Sequence, residues 1–112
     1  MASLLLEDLD RLVDALRAAG VSASVDLTNL KGVGVGVWVT PFDWSADLAG
    51  DLHVRAALFL MGPKGSGRGH LDLIGGLLEK VSELVTFDEP PTYVVVNDTD
   101  RPAIRIITTT TD

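Results

Sequence analysis

The sequence predicts an α+β fold in which two helices cover one face of a largely antiparallel sheet of four to five strands. Three observations predict it: two stretches have apolar residues at helical spacing, several short stretches alternate or are rich in β-branched residues, and brief turns join consecutive strands. Strands joined by brief turns pair antiparallel. The predicted order of elements is α-β-β-β-α-β-β.

Composition indicates one globular domain, residues 1–112. The chain is 46% hydrophobic and has no cysteine, so it can form a core, and disulfides and thiolate metal sites are excluded. Its net charge of −7 opposes binding to nucleic acid over the surface as a whole. Acids at positions 7 and 8 interrupt the N-terminal apolar run, and no run reaches the ~18 residues of a membrane span. We therefore expect a soluble, intracellular protein.

Two segments have the three-to-four-residue apolar spacing of amphipathic helices. The first covers residues 3–19 and is followed by Gly20, a residue that commonly ends a helix. The second covers residues 71–85 and contains Gly75 and Gly76, each of which costs about 1 kcal/mol relative to alanine. We expect a close helix–sheet or helix–helix contact at these glycines to explain that cost.

Alternation and β-branched content predict the strands. One predicted strand, residues 51–61, is apolar on both faces toward its end and is therefore expected to be central. In another, residues 33–40, Gly34, Gly36 and Trp38 share one face. The favoured interpretation is a face packed tightly under a helix, and the alternative is a bare groove that receives another backbone or the Trp38 ring. The predicted strands are residues 21–26, 33–40, 51–61, 92–96 and 103–110.

Two aromatic residues stand out in residues 41–50, which are predicted to form a loop or hairpin connection. Phe42 and Trp44 flank an aspartate there, an unusual arrangement for a solvated loop. They either fold back on the core, which is slightly favoured, or anchor a partner, because exposed aromatic side chains concentrate binding energy.

The glycine-rich segment GPKGSGRG, residues 62–69, is the sharpest candidate for chemistry. A phosphate-binding loop places lysine and then a hydroxyl residue after its last glycine, but Arg68 and Gly69 stand at those positions. The predicted sheet is also antiparallel. A flexible connection is the favoured interpretation, a basic loop in which Lys64 and Arg68 contact a partner or a DNA backbone comes second, and nucleotide binding comes last.

The remaining polar residues form no recognisable site. His53 and His70 are the only histidines, and neither belongs to a nucleophile motif. Asp98 and Asp100 suit a turn, and the further oxygen ligands of a calcium loop are missing. We therefore predict no catalytic residues, no cofactor and no metal, and hence a protein that is not an enzyme.

Four stretches in a fixed order carry a resemblance to a known family. They are LDRLVDALRAAGVSASVD (9–26), the valine strand with its Val-Thr-Pro exit (33–41), HVRAALFLMGP (53–63) and LDLIGGLLEKVSELV (71–85), followed by a closing β-hairpin. In this order of elements the chain resembles the tail terminator proteins of long-tailed bacteriophages, especially those of actinobacterial hosts. The resemblance covers nearly the whole chain, although no single motif is diagnostic.

The resemblance implies a virion structural protein that assembles in the cytoplasm of the host bacterium. Such proteins form a ring, usually six-fold, that caps the tail tube, stops its polymerisation and offers a surface to head-completion proteins, while DNA passes through the lumen. The implied partners are further copies of the chain, the tail tube protein and a head-completion or neck protein, with only non-specific DNA contact and no membrane. We expect partner contacts at Phe42, Trp44, Lys64, Arg68 and Arg101.

Three other functions remain as alternatives. Another head–tail joining protein of similar size belongs to the same class. A small phosphate- or nucleotide-binding αβ domain that uses the loop 62–69 belongs to a different class, and so does a bacterial partner-binding module.

Overall fold

The structure, a computed structural model, describes residues 4–30, 34–46, 48–50, 52–62, 68–96 and 101–109. It has the α+β fold and the order of elements that the sequence predicts. The elements are α1 (Leu4–Ala18), β1 (Ala23–Ser24), a 3₁₀ helix (Leu27–Leu30), β2 (Gly36–Ala46), β3 (Leu52–Met61), α2 (Arg68–Ser82), β4 (Thr92–Val96) and β5 (Arg101–Thr109).

The five strands form one sheet in the order β1-β2-β3-β5-β4. All neighbouring pairs are antiparallel except β1 and β2, which are parallel at Ala23↔Val37 and Ser24↔Trp38. The prediction that β3 is central is confirmed. Since β5 is antiparallel to both of its neighbours, β3 and β4 run in the same direction, and α2 provides the long crossover between them.

Both helices pack on the same face of the sheet, as predicted. Their apolar stripes meet the inward residues of β2, β3 and β5, and the described residues there form one buried apolar cluster. α1 ends where Gly20 takes a positive φ of 87°, which glycine adopts without strain. The cluster contains Leu9, Val13 and Leu16 of α1, Leu77 and Val81 of α2, and Val37, Val39, Ala56, Leu58, Leu60 and Ile106 of the sheet.

Neither α1 nor α2 packs on the opposite face of the sheet, which is called the helix-free face below, and the 3₁₀ helix covers one end of it. Leu30 packs there with Met61 and Ala103. The face of β2 that holds Trp38 lies on this side, so the expectation that it packs under a helix is wrong. Alternation places the valines of β2 toward the helices instead, and Trp38 stacks on the Phe59 ring at a centroid distance of 5.1 Å.

β2 is longer than the sequence predicts. Residues 41–46 continue the strand and pair with β3, so the expected loop is reduced to the tip of a hairpin. The register shifts between Pro41 and Asp43, and β1 ends before this point. Proline is tolerated at such a bulge on an unpaired strand edge because its missing N–H removes no ladder hydrogen bond.

The first predicted strand is much shorter than expected. β1 has two residues because polar side chains turn the chain directly after it: the Asp26 amide donates to Ser24 Oγ at 3.0 Å, and the Thr28 amide donates to Asp26 Oδ1 at 3.0 Å. These local hydrogen bonds replace the sheet ladder and start the 3₁₀ helix.

α2 begins at Arg68 and ends at Ser82, three residues earlier at each end than predicted. The first turn of a helix needs no apolar residue, so apolar spacing alone does not locate its start. The close contact expected at Gly75 and Gly76 is wrong: a Cβ atom at either position would meet none of the described atoms within 4 Å. Residues 63–67 of the glycine-rich loop lie outside the described residues.

Candidate partner-binding surface on the sheet

The helix-free face of the sheet gathers the polar and aromatic groups that the core excludes. It is formed by Trp38, Phe42, Asp43, Arg55, Phe59 and Arg105. Register explains this collection, because Trp38 lies opposite Phe59, Asp43 opposite Arg55, and Phe59 opposite Arg105. Residues on one face of paired strands interact directly with their cross-strand neighbours.

Arg55 is fully paired on this face. Its Nε donates to Asp43 Oδ1 at 2.8 Å, its Nη2 donates to Asp43 Oδ2, and its Nη1 donates to Glu89 Oε2 at 3.2 Å. The hydrogen bonds from Arg55 lower the pKa of Asp43, and those to Asp43 raise the pKa of Arg55. The fork of the guanidinium thus binds one carboxylate with two bonds and holds a second, so its charge is neutralised within the chain.

Phe42 lies between two guanidinium groups. Its ring centroid is 5.2 Å from Arg55 Cζ and 5.7 Å from Arg105 Cζ, within the range of cation–π attraction. The side chain lies over the sheet beside these arginines but belongs to neither core cluster, and 40% of its surface is exposed. The ring is therefore both held in place and available to a partner.

Arg105 differs from Arg55 in its partners. Its Nε is buried, and no described residue offers it an acceptor. A buried donor without an acceptor costs about 1–3 kcal/mol, and more for a charged group. Among the described residues, the contact with the Phe42 ring is the one polar interaction of its guanidinium. The side chain as a whole is partly exposed. The helix-free face thus contains one neutralised arginine and one that forms no ion pair with any described carboxylate.

Of the five predicted contact residues, the structure describes the side chains of two, Phe42 and Arg68, and they lie on different elements. Phe42 lies on the helix-free face, whereas Arg68 is exposed at the start of α2. Trp44 belongs to β2 and Arg101 begins β5, but their side chains, like the whole of Lys64, lie outside the described residues. Contacts at these residues therefore remain predictions.

Sequence reasoning missed the three charged residues of this face. Asp43, Arg55 and Arg105 occupy outward positions on strands that are otherwise largely apolar, and this is the signal that marks them. The pairing of the first two, 12 residues apart, requires the register of β2 against β3 and the bulge before Asp43. Neither is visible in local sequence.

The β2–β3 hairpin continues past the end of β5. The last position at which β2, β3 and β5 are all paired contains Asp43, Arg55 and Thr109. Beyond it, β2 and β3 form three further residue pairs before the turn. At that turn Leu48 is fully exposed and Gly50 has a positive φ of 85°. The hairpin tip is thus presented to solvent beside the helix-free face.

Two concave regions lie elsewhere on the molecule. One, of about 400 Å³, lies between α1 and residues 84–88 and includes Leu12, Leu84 and Thr108 in its lining. The other, of about 460 Å³, opens beside β1. In the part of the chain that the structure describes, no three His, Asp or Glu side chains lie close enough to hold a metal ion together. Neither α1 nor α2 combines the length and apolar character of a bilayer-crossing helix.

Comparison of this chain with protein-family models, curated proteins and solved structures found no match. The case for a function therefore rests on the order of elements, the chemistry of the surface and the residues described above.

Proposed function

We propose that this chain is the subunit of a ring, six-fold in symmetry, that caps a bacteriophage tail tube, stops its polymerisation and offers a docking surface to a head-completion protein. The observation that carries the proposal is the order of elements along the chain, α-β-β-β-α-β-β, since tail terminators resemble one another in that order and not in a motif. The α+β fold agrees with the resemblance.

The subunit has surfaces that differ from one another, and this supports assembly into a ring. A closed ring of more than two copies uses a heterologous interface, in which two different surfaces complement each other. In the described sheet one edge strand, β1, has two residues, and the other, β4, has five. The two faces also differ, because one carries both helices and the other carries the aromatic and charged residues around Phe42.

The acidic charge supports a channel for DNA. The chain has 16 acidic and nine basic residues, so a ring of several copies carries a large net negative charge. Passing DNA is repelled by such a ring and does not adhere to it. The net negative charge is therefore compatible with a channel that DNA passes through, and it opposes a site that binds nucleic acid tightly.

The test is whether copies of the chain form a ring and whether that ring ends tube growth. Native mass spectrometry over a wide concentration range is expected to give a discrete hexamer, alone or in the presence of tail tubes. Tube protein polymerised with the chain is expected to give short tubes capped at one end in electron micrographs. Uncapped tubes of unchanged length, together with a chain that stays monomeric, would refute the proposal.

The same experiment distinguishes the proposed function from two alternatives, a nucleotide-binding domain and another head–tail joining protein. Adding ATP and Mg²⁺ tests the nucleotide-binding domain, for which a stoichiometric adduct lost in Arg68→Ala is the expected sign. Binding to a head-completion protein without any effect on tube length would instead favour another head–tail joining protein.

A further inference from the structure

We propose that the helix-free face around Arg105 and Phe42 receives α1 of a second copy of this chain, whose exposed acidic row supplies carboxylates to Arg105. The acidic row consists of Glu7, Asp10 and Asp14. The inference rests on the proposed ring and deepens it, because it names the two surfaces that meet between neighbouring subunits.

The receiving surface has a cation, Arg105, that forms no ion pair within the described part of the chain. Arg55 binds Asp43 and Glu89 within its own chain, whereas no described residue forms a hydrogen bond or ion pair with the guanidinium of Arg105. Part of that guanidinium is already withdrawn from solvent, so a carboxylate that reaches its exposed end forms a charge-assisted bond with less desolvation. Phe42 beside it supplies exposed aromatic surface of the kind that dominates interface energies.

The acidic row is the complementary surface. Glu7, Asp10 and Asp14 are exposed and spaced three and four residues apart, so they lie along one side of α1. No described residue forms an ion pair with any of them, whereas Asp8 binds Arg11 at 3.5 Å. These three carboxylates, which have no ion-pair partner among the described residues, thus face outward from the helix layer in one row.

The two surfaces lie on opposite sides of the subunit. α1 packs its apolar stripe, with Leu9, Val13 and Leu16, against the covered face of the sheet, and Arg105 lies on the other face. Contact between the helix layer of one copy and the helix-free face of the next is therefore heterologous, as closure of a ring requires. The chemistry favours carboxylates over a polyphosphate chain, because Asp43 and Glu89 already neutralise the neighbouring Arg55.

A charge-swap experiment tests this contact in the full chain, with tail tubes present if assembly needs them. Arg105→Glu and Asp10→Lys are each expected to weaken subunit association at least tenfold in sedimentation or native mass spectrometry. The double variant is expected to recover most of the loss, because the ion pair re-forms with its charges exchanged. Arg105→Met, which removes the charge without introducing a carboxylate, is expected to weaken association less than Arg105→Glu.

Two matched control variants reverse a charge on α2, outside the proposed interface. Lys80→Glu and Glu79→Lys alter exposed residues of α2 and are expected to leave association within twofold of the unaltered chain. Circular dichroism verifies that each variant folds. Rescue of Arg105→Glu by Glu79→Lys would overturn the assignment to α1 by placing α2 at the interface.

The outcomes distinguish this inference from the proposed function. Rings that form normally in both Arg105→Glu and Arg105→Met would overturn the inference and leave the ring intact. A chain without substitutions that associates neither alone nor on tubes would overturn both. Weakening by both single changes, with recovery in the double variant, supports the inference.

Discussion

The two faces of the sheet are made by alternate residues of the same strands, yet they differ in chemistry and in burial. On β5, Ile106 points into the core that the helices cover, whereas its neighbour Arg105 points to the opposite side. On β3, Leu58 is fully buried, and the adjacent Phe59 is only partly so. The covered face stabilises the fold, and the helix-free face leaves charged and aromatic groups within reach of a partner.

The difference shows how a small α+β domain buries one face of its sheet and leaves charged and aromatic side chains on the other. One layer of helices is enough to bury one face of the sheet, so the side chains on that face are mainly apolar and pack together. On the other face the 3₁₀ helix packs over one end, and Phe42 contacts Arg55, which is itself paired with Asp43. Substitutions on the two faces should therefore have different consequences.

The largest effect is expected from Leu58→Ala on the covered face. Leu58 has no exposed surface, so its truncation leaves a cavity and should lower the free energy of unfolding by about 2–5 kcal/mol. Urea unfolding measures the change. Phe42→Ala, its counterpart on the helix-free face, should lower it by clearly less because part of that ring is already exposed. Equal losses would contradict the division between the two faces.

A smaller effect of opposite sign is expected from Arg105→Met. Methionine keeps the unbranched apolar stem and removes the buried Nε, so the free energy of unfolding of the dissociated subunit should rise by about 1 kcal/mol. Thermal and urea unfolding at low protein concentration measure it. Arg68→Met, at an exposed position on α2, should change stability by less than about 0.5 kcal/mol. A clear loss of stability in Arg105→Met would show that Arg105 supports the fold.

A comparable effect is expected at Gly76, on the exposed side of α2. A Cβ at Gly76 would meet no described atom within 4 Å, so Gly76→Ala should stabilise the chain by about 0.4–1 kcal/mol through helix propensity. Gly20→Ala serves as the control, and it should destabilise the chain because φ is 87° there. Thermal unfolding measures the change in stability of both variants. A loss of stability in Gly76→Ala would contradict the open space around this position.

The smallest effect concerns pH and the Arg55 network. The pKa of Asp43 is lower in the folded chain than in the unfolded chain, so its contribution to stability is fully present above the unfolded pKa of about 3.9. That contribution is lost as the pH falls through the lower, folded pKa. Stability should therefore decline below about pH 4, and the decline should be shallower in Asp43→Asn.

Titration of the Asp43 carboxyl by NMR gives the direct measurement. In Arg55→Met, the pKa of Asp43 should rise toward its ordinary value because the hydrogen bonds that lower it are gone. An unchanged pKa in that variant would mean that the two side chains are not paired in solution.

Local pattern was sufficient to predict most of the fold and little of the candidate surface. The apolar stripe of α1 and the stop at Gly20 are local signals, and both are confirmed. Pairing with β3 overrides the turn-like composition of residues 41–46, so β2 was predicted too short. Phe42 was predicted as a contact residue from its aromatic character alone, whereas its two arginine neighbours come from distant strands.

By itself, the sequence determined the α+β class, the order of the elements and the identity of the central strand, because apolar periodicity and turn residues act over a few neighbouring positions. The tertiary structure alone decided which charges are neutralised. Arg55 meets Asp43 and Glu89 across 12 and 34 residues of chain, while Arg105 on the same face meets neither. Strand register and the bulge before Asp43 set the first contact, and the connection between α2 and β4 places Glu89 for the second. Neither arrangement is encoded within a local stretch of residues.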